Sequence, residues 1–222
     1  MTVVLVQGTP EWLAARAGSL GASQVADVIA KTKSGWGASR ANVRARIVAE
    51  RLTGRPSETF TNAAMDWGRE QEEAARVAYA FLEGRSVTEC GIFLHPEIKG
   101  THASPDGLVD DDGLVEIKAP NTSTHIDTLK SQAIPGRYVT QMMWQMACTG
   151  RQWCDFVSFD PRMPEEMQLF VKRLHRDQTL IEELESTVCD FLAEVQADVD
   201  QLTRLYRSAV EAPRVFSPLE AG

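Results

Sequence analysis

No apolar run in the 222 residues approaches the roughly 18 needed to cross a bilayer, so no membrane-spanning helix is expected. The start, Met1-Thr2-Val3-Val4-Leu5, lacks the basic residues and long apolar stretch of a secretory signal, which points to the cytosol. Cysteine is scarce. Cys90, Cys148, Cys154 and Cys189 stand apart with no C-x-x-C pair, which disfavours an iron–sulfur or zinc centre and fits reduced thiols. The histidines (His95, His102, His125, His175) show no H-x-x-x-H spacing either. Positive charge is not in excess: the net charge of −8 argues against a generic nucleic-acid binder. Residues 1–56 nonetheless hold eight Lys and Arg against three Asp and Glu, which is compatible with one basic surface on an acidic body. There is no internal repeat and no low-complexity linker, so a single domain over residues 1–222 is expected.

What is present reads as alternating helix and strand. Thr9 and Pro10 open a helix that Gly18 can close, and a second helix begins near Ser23. Lys31 to Ala38, with Ser34-Gly35-Trp36-Gly37, reads as a loop. A third helix spans about Ser39 to Leu52 and ends at Gly54; its spacing puts Arg40, Arg44 and Arg51 on one face. A longer helix covers roughly Asn62 to Leu82, with Trp67, Gln71, Ala74, Ala78 and Phe81 on one face. Strand-like segments follow from Val87 to Leu94 and from His102 to Lys118, with a turn at Asp110-Asp111-Asp112-Gly113. A helix from Gly136 to Thr149 carries Gln141 and Gln145 one turn apart. Strands are expected over Trp153–Phe159 and Met167–Leu174, then a long amphipathic helix from Asp177 with its apolar stripe from Ile181 to Leu202.

The chemistry concentrates in Ser104-Pro105-Asp106-Gly107 and the later Glu116-Ile117-Lys118. Side chains two apart on a strand share a face, so Glu116 and Lys118 project together. Asp106 approaches the partner strand of the same hairpin, near Glu116. Two carboxylates, with the Ile117 carbonyl and waters, suit Mg²⁺. Such an ion lowers the pKa of a bound water and neutralises phosphate charge. Lys118 beside it would orient the nucleophile or stabilise the transition state, and would need partial shielding. The bland alternative is a Pro-Asp-Gly turn followed by an exposed charged strand.

At these residues the chain resembles the phage lambda exonuclease type of viral recombination nucleases, within the PD-(D/E)xK superfamily. The matching stretches run in order: Trp12 to Arg16 and Gly18; Ala22-Ser23; Trp67-Gly68 with Glu72; Ser104 to Leu108; Gly113-Leu114 through Glu116-x-Lys118 and Pro120; Gln141; and Asp160-Pro161-Arg162-Met163. The resemblance implies an α/β fold, a central mixed β-sheet with a catalytic hairpin flanked by helices (restriction-endonuclease-like) and a long C-terminal helix. It implies that Asp106 and Glu116 bind metal, that Lys118 is catalytic, that Glu72 adds a carboxylate and that Gln141 supports the site. Many relatives carry a tyrosine where this chain has Gln145, whose role stays open, as does that of His102.

The resemblance further implies a pocket for a terminal 5′-phosphate built from Arg16, Ser23 and Ser104, with Met65 splitting the duplex end. The implied activity is Mg²⁺-dependent (Mn²⁺ substituting) 5′-to-3′ digestion of double-stranded DNA, leaving 3′ single strands for annealing recombination. A ring-shaped homotrimer, a single-strand-annealing partner and a phage or prophage origin are also implied. Arg40, Arg44 and Arg51 would line the ring's DNA channel. The rival readings are a restriction-like endonuclease of the same superfamily and a non-catalytic DNA-end-binding protein.

Overall fold

The structure is a computed structural model describing residues 2–3, 9–33, 35–57 and 63–206; the side chains of residues 2–3, 63–65 and 69 lie outside the description. The chain runs β1 (Thr2–Val3), α1 (Pro10–Arg16), β2 (Leu20–Gly21), α2 (Ala22–Ile29), β3 (Lys31–Thr32), β4 (Gly35–Trp36), α3 (Ala38–Thr53) and α4 (Ala63–Glu83). It continues with β5 (Val87–Thr88), β6 (Ile92–Leu94), β7 (Thr101–Ala103), β8 (Gly107–Val109), β9 (Gly113–Lys118), α5 (Thr122–Ser131), α6 (Gly136–Thr149), β10 (Trp153–Phe159), β11 (Leu169–His175) and α7 (Gln178–Tyr206).

Thr9 caps α1 by accepting from the Trp12 amide, and Gly54 and Gly150 close α3 and α6 in the left-handed conformation, where a Cβ would be strained. Two expectations need correction. The segment read as a loop from Lys31 is a small antiparallel hairpin, β3–β4, that pairs Lys31 with Trp36 and Thr32 with Gly35, the latter at φ 123°. The helix α5 was not anticipated; Asn121 caps it by accepting from Thr124 N–H, but its run of Thr and Ser carries little helix propensity.

The central element is a mixed five-stranded sheet in the order β11-β10-β9-β8-β5. β9 is antiparallel to β8 and parallel to β10, so it lies in the interior of the sheet. Its Val115 and Ile117 pack with Ala75 and Tyr79 of α4, Val157 and Phe159. Its Leu114 faces the main core with Phe156, Trp144 and Phe191. A second sheet, in the order β1-β6-β7-β2, leads into β8 from β7. Among the described side chains of α4 the buried ones are Ala75 and Tyr79, while Phe81, expected with Trp67 and Ala78, is 90% exposed. The α7 stripe is buried at Ile181, Leu184, Val188, Phe191 and Val195, each burial contributing on the order of 2 kcal/mol, and fades to a half-exposed Leu202.

Gly107 is required by close approach. A Cβ there would lie 2.6 Å from Val87 Cγ1 and 3.0 Å from Val115 Cγ1. Both contacts belong to neighbouring strands, so Gly107→Ala should splay the hairpin. The expected cost is about 1–3 kcal/mol in urea unfolding, with a loss of activity because Asp106 precedes the displaced residue.

Candidate active site

The hairpin register pairs Gly107 with Val115, Leu108 with Leu114 and Val109 with Gly113. One pair further, Asp106 falls opposite Glu116, and opposite residues of antiparallel strands share a face. Asp106 Oδ2 accepts from the Ile117 amide at 2.7 Å, which ties the turn to β9. Arg151 pins the other end of the hairpin by donating to the carbonyls of Val109, Asp110 and Gly113.

Glu116 is completely buried, and its carboxylate is the hub. Gln141 Nε2 donates to Oε1 and Gln145 Nε2 to Oε2, each at 2.5 Å. The two glutamines lie one turn apart on α6, so they reach the same side. Lys118 Nζ forms an ion pair with Oε1 and lies 5.5 Å from the centre of the Tyr138 ring. Lys118 is 28% exposed, the partial shielding that its expected role needs. Burial, and then the Glu116 charge, push Asp106 up to about 8, with Lys118 opposing them. Burial works against the Lys118 ammonium, but Glu116 and Asp106 together outweigh it and hold its pKa above the ordinary lysine value.

This donor set fits a divalent metal. Hard carboxylate oxygens from Asp106 and Glu116 meet in a buried hairpin where their mutual repulsion calls for positive charge. A third ligating side chain is not in place: among the described residues no group of three His, Cys, Asp or Glu could hold a metal. Glu72 bonds Arg76 at 2.8 Å, although its charge is felt at Asp106. Asp160, at the end of β10, is buried and held by Arg162, whose guanidinium lies 4.7 Å from the Trp67 ring centre. That contact ties α4 to the loop after β10.

The residues expected to bind phosphate are placed as follows. Arg16 Nη2 would lie 3.3 Å from a Cβ on Gly21, the residue preceding α2, so its guanidinium sits beside the α2 N-terminus. Ser23 is exposed in the first turn of α2. Ser104 is half-buried and donates to the Gly91 carbonyl at 3.4 Å; no contact among the described residues joins it to Arg16. The side chain of Met65, expected to split the duplex end, lies outside the described residues.

The three arginines expected to line the channel are engaged within the fold. Arg40 is 4% exposed, donates to the Val28 carbonyl and Glu194, and packs on Trp36 and Phe191. Arg44 is bidentate to Asp198 and also binds Glu194. Arg51 donates to the Gly18 carbonyl and to Gln196. All three do share a face, but it is the face that α7 covers. Arg40→Ala is therefore expected to cost about 2 kcal/mol of stability. It should leave the salt dependence of DNA binding unchanged, whereas loss of a phosphate contact lowers the slope by about one.

Sequence reasoning left Gln145 open and did not single out Tyr138. The i, i+4 repeat of glutamine was the available signal for the first; nothing in spacing marked the second.

A model of the YqaJ-like viral recombinase domain matches residues 11–152. LHK-Exo, an alkaline exonuclease from Laribacter hongkongensis, is 51% identical, covering 92% of this chain and 100% of its own. Its structure superposes with a TM-score of 0.84, and its complex with dAMP with 0.85. A phage related exonuclease from Haemophilus somnus 129PT, at 16% identity over 84% of this chain and 95% of its own, shares the fold at a TM-score of 0.65. No curated protein matches. With most of its length matched by the domain model and half its residues shared with LHK-Exo, the chain belongs to the YqaJ-like viral recombinase family.

Proposed function

We propose that the chain is a Mg²⁺-dependent exonuclease that digests one strand of duplex DNA from its 5′ end, releases nucleotides and leaves a 3′ single strand. The observation that carries this reading is the Glu116 carboxylate, opposite Asp106 and gripped by Lys118, Gln141 and Gln145. That LHK-Exo holds dAMP, a nucleoside monophosphate, supports nucleotide release.

Asp106, Glu116 and the Ile117 carbonyl would hold the metal, with Mn²⁺ able to substitute. When bound, the ion supplies charge neutralisation at the phosphate and a more acidic water. The chain's own groups do the rest. Gln141 and Gln145 fix both Glu116 oxygens, so the carboxylate cannot rotate away from Asp106. Lys118 places an ammonium on Glu116 Oε1, where it orients the attacking water or meets the charge that develops on phosphate. Glu72 adds negative charge at the approach from α4. Arg16 grips the terminal phosphate beside the α2 N-terminus, with Ser23 and Ser104 as further donors. Met65 would part the end base pair.

The reading extends to one nuclease domain, a homotrimeric ring around double-stranded DNA, a single-strand-annealing partner and a phage or prophage gene acting in the bacterial cytoplasm. End-labelled linear duplex tests the direction. A 5′ label should appear at once as mononucleotide, while a 3′ label stays in long single strands. Early release of the 3′ label would refute the polarity.

A further inference from the structure

His102, on β7, is 2% exposed and takes no part in the chemistry above. Arg16 Nε donates to its Nε2 at 2.9 Å, and its Nδ1 lies 2.9 Å from Ser19 Oγ. A guanidinium has only donors, so Nε2 must offer a lone pair. The ring proton therefore sits on Nδ1 and is donated to the Ser19 hydroxyl. A second proton would set an N–H against the Arg16 N–H. Burial, with Arg16 and Arg46 nearby, agrees by pushing the imidazole pKa down to about 3.

This hydrogen bond decides where Arg16 points. With Nε held by His102, the guanidinium carbon lies over Trp12, 3.9 Å from the ring centre. Its two terminal nitrogens have no hydrogen-bond partner among the described residues. Nη2 lies beside Gly21, just before α2, and Arg16 lines a pocket of about 140 Å³ with Ser19, Gln24, Arg46, Ser57 and His102. The one acid in its wall, Glu50, is engaged by Gly18 N–H, Ser57 N–H and Arg46. The open donors thus face a site that favours an anion.

We propose that His102 is a positioning residue: as a neutral acceptor fixed by Ser19, it holds Arg16 Nε and aims both terminal amines at the 5′-phosphate of the DNA end. This rests on the reading of Arg16 as the phosphate-binding residue. A free arginine samples many rotamers, and holding it in advance removes that ordering cost from binding.

The test measures kcat/KM on linear duplexes with 5′-phosphate and 5′-hydroxyl ends, for the unaltered chain and two variants. His102→Gln places a carbonyl oxygen near the former Nε2; His102→Asn reaches only the Nδ1 position, toward Ser19. His102→Asn should reduce the preference for 5′-phosphate by about tenfold, with the change carried by KM, and His102→Gln should retain most of it. Equal preference in His102→Asn and the unaltered chain overturns the role of His102 alone. Equal rates on both ends in the unaltered chain overturn the phosphate-binding reading of Arg16, and this inference with it. Should the variants not fold, ¹⁵N spectra of the unaltered chain still decide: a neutral Nδ1–H tautomer without titration from pH 5 to 8 supports the proposal. An Nε2–H tautomer overturns it.

Discussion

Replacing Lys118 by alanine is expected to slow Mg²⁺-dependent nucleotide release by about 10²–10⁴-fold while the protein stays folded. The two halves of that statement have separate physical causes. Lys118 is 28% exposed and contributes no apolar core, and Glu116 keeps two glutamine donors without it. Melting should therefore shift little, by the equivalent of about 1 kcal/mol. The ammonium is the cation paired with Glu116, so its loss falls on the chemical step. Lys118→Arg should not restore the rate, because a planar fork cannot replace a point charge in the space between Glu116 and Tyr138. Initial rates on linear duplex, paired with thermal melts, check both halves. A Lys118→Ala rate within threefold of the unaltered chain would remove Lys118 from the mechanism.

Glu116→Ala should be more damaging, since it strikes activity and stability together. Three donors converge on this buried carboxylate, and the change leaves Lys118, Gln141 and Gln145 without their acceptor. A buried group left unpaired, as Gln145 would be, costs about 1–3 kcal/mol. Relief of the repulsion with Asp106 offsets part of this, so a net loss of about 2–4 kcal/mol in urea unfolding is expected. Hydrolysis should fall to background. Calorimetry on the folded variant should also show weaker Mn²⁺ binding, which separates loss of a metal ligand from loss of fold. Mn²⁺ affinity equal to that of the unaltered chain would show that Glu116 does not hold the ion.

The hairpin was legible because its signals are local. Asp110-Asp111-Asp112-Gly113 marks the turn, and the period of two puts Glu116 and Lys118 on the face away from Val115 and Ile117. The convergence of Gln141 and Gln145 on Glu116 was only half legible. Helical spacing puts them together, but the docking of α6 on the sheet depends on contacts distant in sequence. Arg40, Arg44 and Arg51 show the opposite case. Their shared face was correctly read, but what covers that face is set by Glu194 and Asp198, some 150 residues away in the chain. A basic helix face looks the same in sequence whether it meets DNA or an acidic helix. The role of His102 stayed open for a related reason, because its meaning comes from Arg16, 86 positions earlier.

Digestion of one plasmid in two forms, covalently closed and linearised, tests the central claim most directly. In Mg²⁺ the linear form should be consumed from its ends and the closed circle left intact, and EDTA should stop the digestion. Cutting or nicking of the closed circle would contradict the account, as would an equal rate of digestion in EDTA.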